Sequence, residues 1–236
     1  MRISFSGAAS TGKTTTFKAF LEKWPNYKTL QSDYRHLIRG NKHSKHTDKK
    51  TQKNILEFMC NAQKGFTLHD NIAYDRCPLD NLVYTLWAYD KGIKGFNEKF
   101  VTDCMEIVGE SMKALDIIFL CTRDLMGPAE SNGKRESDPV YISETDNIFK
   151  AISRQLSTGK SPIFPHGDSP AVIEIHGNTE ERMAQVALYV TAEGTMYGEE
   201  QSIVNFDELL KMKSLIHEQH GQIKQDTQLP IIDPNK

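Results

Sequence analysis

The chain has 236 residues, 38% of them apolar, enough to bury one full core in one large domain or two small ones. A net charge of −2 and a sequence pI near 6.5 exclude a global positive field that would draw it to nucleic acid or acidic membranes. Its longest apolar runs fall short of a membrane span, and residue 2 already begins a strand, so neither a spanning helix nor a signal peptide is expected and a cytoplasmic protein is.

In residues 2–6, Ile3 and Phe5 alternate with polar neighbours and lead into Gly7-Ala8-Ala9-Ser10-Thr11-Gly12-Lys13-Thr14, a G-x-x-x-x-G-K-T pattern. An amphipathic run with Phe17, Phe20, Leu21 and Trp24 at helical spacing follows. Strand, glycine-rich turn and helix in that order make a phosphate-binding loop (P-loop). The glycines let successive N–H groups converge on one concavity at a helix N-terminus, where the dipole favours an anion. Gly7, Ala8, Ala9, Ser10, Thr11, Gly12, Lys13, Thr14 and Thr15 are therefore the candidate ATP-binding residues. Lys13 supplies a full charge to the terminal phosphates, and the Thr14 hydroxyl is placed to ligate Mg²⁺.

After a turn at Pro25-Asn26, residues 27–30 read as a short strand ending in Ser32-Asp33-Tyr34-Arg35. Ligands of open α/β sheets gather beyond the carboxyl ends of strands, which places Asp33 and Arg35 on the substrate rim. The other reading is that Asp33 caps the next helix and Arg35 is solvated. Residues 35–53 are the most basic stretch, with Arg35, Arg39, Lys42, Lys45, Lys49, Lys50 and Lys53 against Asp48 alone. This is either a solvated face or a segment that meets substrate, including nucleic acid. His43 and His46 share a helical face but lack the cysteine or acidic neighbours of a metal site.

Residues 51–66 carry Ile55, Phe58, Met59 and Ala62 at helical spacing. Residues 71–75 form the next strand, followed by Asp75-Arg76-Cys77-Pro78-Leu79-Asp80. An acid ending an apolar strand after a P-loop unit is the candidate for holding Mg²⁺ or taking the acceptor hydroxyl proton, and Arg76 is the candidate bridge between donor and acceptor phosphates. Alternatively, Asp75 and Arg76 form a salt bridge that fixes the turn. Pro78 opens a helix in which Asp80 is either a favourable first-turn charge or a substrate ligand.

A helix over 97–112 and a buried strand over 115–121 come next, with Arg123 on the active rim as a substrate candidate. The loop from Gly127 to Asp138, carrying Lys134 and Arg135, reads as a lid, with Arg135 either closing over the transferring phosphate or solvated. It leads into a helix containing Ile148, Ile152 and Leu156. A last strand covers 171–175, and Asn178 with Glu181 caps a helix to about residue 190. Five strands alternate with helices, which implies a mostly parallel sheet covered on both faces. Residues 191–236 read as a helical C-terminal extension with a frayed end, and the four cysteines as reduced thiols.

The phosphate loop, Asp75-Arg76 with Pro78 and Asp80, the Lys134-Arg135 lid with Asp138, and Gly177-Asn178-Thr179-Glu180-Glu181-Arg182 together resemble the P-loop nucleoside and nucleotide kinases. Thymidylate-kinase-like and ribosylnicotinamide-kinase-like ATPases are nearest in pattern, and small kinases of this kind are often encoded by bacteriophages. The resemblance spans residues 1–190 and implies a three-layer P-loop NTPase sandwich, with a lid over about 123–141 and phosphoryl transfer from ATP with Mg²⁺. Lys13, Asp75, Arg76 and Arg135 would be the catalytic set, Thr14 and Asp75 the metal ligands, and Asp33, Arg35, Asp80 and Arg123 the acceptor side. The acceptor would be a nucleoside, a nucleotide or a related small hydroxyl compound. Alternatives are a nucleotide within DNA or RNA, met by residues 35–53, or a partner protein switched by ATP hydrolysis. A homodimer is compatible with each.

Overall fold

Each of the first three strands buries both of its faces, which forces helices onto both sides of the sheet. The computed structural model describes residues 1–30, 34–38, 44–67, 70–122, 138–164, 169–193 and 195. These include β1 (Arg2–Ser6), β2 (Ile72–Asp75), β3 (Ile117–Cys121) and β4 (Ala171–Ile175), paired in parallel in the order β2-β1-β3-β4. Alternate residues go to opposite layers. Ile3, Phe5, Ala73, Ile117 and Phe119 pack beside Phe20 of the first helix, Trp24 at its C-cap, and Met183 and Val186 of the helix over Thr179–Val186. Ile72, Tyr74, Ile118 and Leu120 face the other way, against Leu56, Leu82, Val108 and Phe149.

The helices are α1 (Lys13–Lys23), α2 (Lys49–Gln63), α3 (Pro78–Asp90), α4 (Glu98–Met112), α5 (Pro139–Ser157) and α6 (Thr179–Val186). Their starts are written in local chemistry. Asp48, Asn97, Asp138 and Asn178 each cap a helix by accepting from first-turn N–H groups, and Pro78 and Pro139 occupy first turns, where a missing N–H costs nothing. Phe5, Phe20 and Phe119 form one aromatic cluster that presses α1 onto β1 and β3, and so fixes where the phosphate loop begins and ends.

The expected strand at residues 27–30 is reduced to one parallel bridge between Lys28 and Ile72. The Lys28 N–H donates to Asn71 O, and the Ala73 N–H donates to Lys28 O. Tyr27 is buried with α1, but Leu30 remains exposed, so nothing draws the segment onward along β2. Smaller shifts are physical too. The strand expected at 115–121 starts at Ile117, because Leu115 still closes a turn onto Met112. The final helix stops at Val186, short of residue 190, and the end of the expected lid, residues 139–141, is the first turn of α5. All four cysteines are free thiols. Among the described residues no helix is long and apolar enough to cross a membrane. The expected extension lies outside the described residues from 196 onward.

Candidate active site

The carboxyl ends of β1, β2 and β3 bring the phosphate loop, Asp75-Arg76 and Thr122 to one rim. The loop leaves β1 under tight constraint. A Cβ on Gly7, whose φ is +139°, would lie 2.5 Å from the Cys121 carbonyl oxygen at the end of β3, so only glycine lets the chain pass. Thr11 braces the turn by donating its hydroxyl to Ala8 O at 3.0 Å. Gly12 then caps α1, and its carbonyl accepts the Thr16 N–H at 2.9 Å.

Lys13 is 4% exposed, and its ammonium donates to Ala8 O within its own loop. Burial, followed by the neighbouring Arg76 guanidinium, lowers its pKa to about 7, against the opposing pull of Asp80, Cys121 and Asp75. This side chain is thus held poorly solvated inside the glycine-rich turn. Beside it, Thr14 donates its hydroxyl to Asp75 Oδ2 at 2.8 Å. The other carboxylate oxygen, Oδ1, is buried and has no hydrogen-bond partner. A hydroxyl and a carboxylate with a spare lone-pair edge, beside a phosphate cradle, fit Mg²⁺, which takes few protein ligands when phosphate oxygens and water complete its shell. The described residues hold no group of three or more His, Cys, Asp or Glu that would form an all-protein cage.

Arg76 follows at φ +90°, a conformation uncommon for a side chain larger than glycine's. Its guanidinium lies 5.6 Å over the Tyr34 ring and 3.7 Å from Asp80 Oδ1. Burial opposes its charge, but Tyr34, Tyr84, Asp80 and Asp75 outweigh that and hold it firmly protonated. Asp80 is 1% exposed and accepts the Cys77 N–H at 3.1 Å, so it completes a capping box at the start of α3. Its desolvation raises the pKa of the carboxyl group, with Arg76 and Lys13 pulling the other way. Of the two expectations for Asp80, the structure shows the first-turn one: it caps α3 with one oxygen and faces Arg76 with the other.

Of the sequence candidates, the structure gathers Gly7 to Thr14 with Asp75, Arg76 and Asp80. Thr15 is exposed on α1. Asp33, Arg123 and Arg135 lie outside the described residues, as does the side chain of Arg35. Within the basic stretch, Lys45 pairs with Asp138 at 3.0 Å, Lys53 lies 3.7 Å from Glu57, and Lys49 lies 4.7 Å over the Phe100 ring.

The family model described as an AAA domain matches residues 2–164, a span that contains the loop, Asp75, Arg76 and Asp80. The chain belongs to the AAA-domain family. No curated protein matches this AAA-domain chain. Solved structures do. A deoxyadenosine kinase from M. mycoides with dCMP and dCDP bound is 14% identical, with a TM-score of 0.57 over 79% of this chain and 96% of that one. The thymidylate kinase from Candida albicans is 15% identical, with a TM-score of 0.52 over 78% and 88%. A NadR protein in complex with NR is 12% identical, with a TM-score of 0.54 over 84% and 53%. The AAA-domain chain thus has the three-layer fold of P-loop nucleoside and nucleotide kinases.

Sequence reasoning assigned no role to three side chains that this AAA-domain chain places around the site. Tyr34 and the partly buried Tyr84 flank Arg76, and Arg182 of α6 lies against the phosphate loop. The available signal for Arg182 was its place on the same helical stripe as Val186, which is fully buried.

Proposed function

We propose that the protein is a kinase that transfers the γ-phosphoryl group of ATP, with Mg²⁺, to a nucleoside, a nucleotide or a closely related small hydroxyl compound. The observation that carries this reading is the hydrogen bond from Thr14 to Asp75, which joins the phosphate loop to the end of β2 with one carboxylate oxygen left over. Phosphoryl transfer asks a protein mainly to position its reactants and to stabilise charge on the equatorial oxygens. Here the loop N–H groups hold the phosphates, and Lys13 exchanges Ala8 O for a phosphate oxygen, regaining the charge that burial disfavours. Mg²⁺ held by Thr14 and Asp75 would supply further charge neutralisation on the triphosphate. Arg76, fixed by Asp80 and Tyr34, presents its planar donors to the acceptor side.

The acceptor reading favours a small free molecule over a polynucleotide. Lys45, Lys49 and Lys53 each already have an intramolecular partner, so fewer cations of the basic stretch remain to follow a phosphate backbone. The functional unit is taken as residues 1–190, with 191–236 as an extension, in a cytoplasmic protein. The deciding experiment is transfer from labelled ATP across a panel of nucleosides, nucleotides and oligonucleotides. Phosphorylation of a free nucleoside or nucleotide is the expected result. ATP turnover with no phosphorylated acceptor would overturn the reading in favour of a partner-switching ATPase.

A further inference from the structure

We propose that Arg182 is a positioning residue that sets the phosphate loop from behind and raises its affinity for triphosphate; this rests on the nucleotide-binding reading of the loop. Arg182 lies on α6 and is 7% exposed. Its Nη1 donates to Thr11 O at 2.6 Å and to Thr16 Oγ1 at 3.2 Å, and its Nη2 donates to Thr122 O at 3.1 Å. One guanidinium therefore ties together the phosphate loop, the first turns of α1 and the residue after β3. A planar fork suits this task because its donors are fixed relative to one another, whereas an ammonium offers a single point.

Two further observations give the contact a functional direction. Among the described residues no carboxylate pairs with Arg182, and its Nε is buried without a hydrogen-bond partner. Carbonyl and hydroxyl oxygens compensate a buried cation only in part. The remainder of its field reaches through the loop to where an anion would sit. The second observation is the Thr11-Gly12 peptide. It is trans, so when Thr11 O turns toward Arg182 the Gly12 N–H turns away from it. A charge-assisted bond at the oxygen polarises that peptide and strengthens its N–H as a donor. Space is reserved for the arrangement as well, since a Cβ on Gly12 would lie 2.9 Å from Arg182 Nη1.

The test compares wild type with Arg182→Met and Arg182→Lys, by calorimetric ATP affinity, by the KM for ATP and for acceptor, and by thermal unfolding. Arg182→Met should weaken ATP binding by on the order of tenfold and raise the KM for ATP, with the KM for acceptor unchanged. Arg182→Lys should fall between the two, because it keeps the charge and loses the fork. Free guanidinium ion should restore part of the ATP affinity of Arg182→Ala, an outcome that a purely structural contribution of the side chain to α6 would not produce. If Arg182→Met fails to fold, the lysine variant and the guanidinium rescue carry the comparison. Wild-type ATP affinity in a folded Arg182 variant overturns the inference and leaves the kinase reading standing. A wild-type protein that binds ATP but phosphorylates nothing overturns the kinase reading and leaves Arg182 in its role.

Discussion

The Thr14 hydroxyl and the Asp75 carboxylate meet at 2.8 Å across 61 residues of sequence, and this contact registers the first turn of α1 on the end of β2. Of the two partners only Asp75 carries charge, so they are separable by substitution. Asp75→Asn keeps an oxygen for Thr14 to donate to and removes the anion. We expect ATP affinity within a few-fold of wild type and phosphoryl transfer lower by on the order of 10² or more in single-turnover assays. Transfer within tenfold of wild type would remove Asp75 from the proposed metal site.

Lys13 gives the site a proton signature. With its pKa lowered by burial and Arg76 to about 7, the free protein carries this lysine largely neutral at about pH 8, and a bound triphosphate favours the charged form. Calorimetry of ATP binding at about pH 8, in buffers of different ionisation enthalpy, should show net uptake approaching about one proton. Uptake should shrink toward about pH 6, where Lys13 is already charged, and vanish in Lys13→Met. The sign for folding follows from the same shift. The unfolded chain holds this proton up to the ordinary lysine value of 10.5, so the Lys13 contribution to stability rises with pH between about 7 and 10.5 and is at its lowest below that window.

Gly7→Ala tests the crossing of the loop over β3. Its Cβ would stand 2.5 Å from the Cys121 carbonyl oxygen, a backbone atom held in the β3–β4 ladder that cannot rotate aside. A destabilisation above roughly 2 kcal/mol in urea unfolding is expected, together with loss of ATP binding in any folded fraction. Undiminished ATP affinity would mean that the loop leaves β1 by another path.

For the basic stretch, the engaged states of Lys45, Lys49 and Lys53 lead us to expect no measurable oligonucleotide binding even at about 50 mM salt. Titration of a labelled strand at about 50 and 200 mM salt is the check. Tight binding that falls steeply between the two, and that disappears on changing Lys45, Lys49 and Lys50 to glutamate, would restore a polynucleotide as the acceptor.

Legibility followed the range of the forces involved. Gly7 to Thr14, the cap at Asn178, and Pro78 at the start of α3 are fixed by local backbone chemistry, which a sequence states directly. Asp75 was readable because strand and acid are adjacent. Residues 27–30 read as a short extended segment, but whether they pair depends on cover for Leu30, which the fold does not supply. Arg182 received no individual role from the sequence, because its acceptors at Thr11 and Thr122 become visible only after the sheet closes. Tyr34 was hidden in the same way, since the approach of its ring to Arg76 joins two segments far apart in sequence.

Thr11 and Arg182 are 171 positions apart, and that separation imposes an order of events during synthesis. At roughly 5–20 residues per second, a ribosome needs roughly ten to thirty seconds to travel from one to the other. Throughout that interval the nascent chain carries its phosphate loop without the guanidinium behind it. Ribosome-bound chains halted before α6 emerges should therefore be poorly retained on immobilised nucleotide, and retention should rise once α6 has cleared the exit tunnel. Nucleotide capture in this sense waits for α6, although the loop residues that define it are made 171 positions before Arg182.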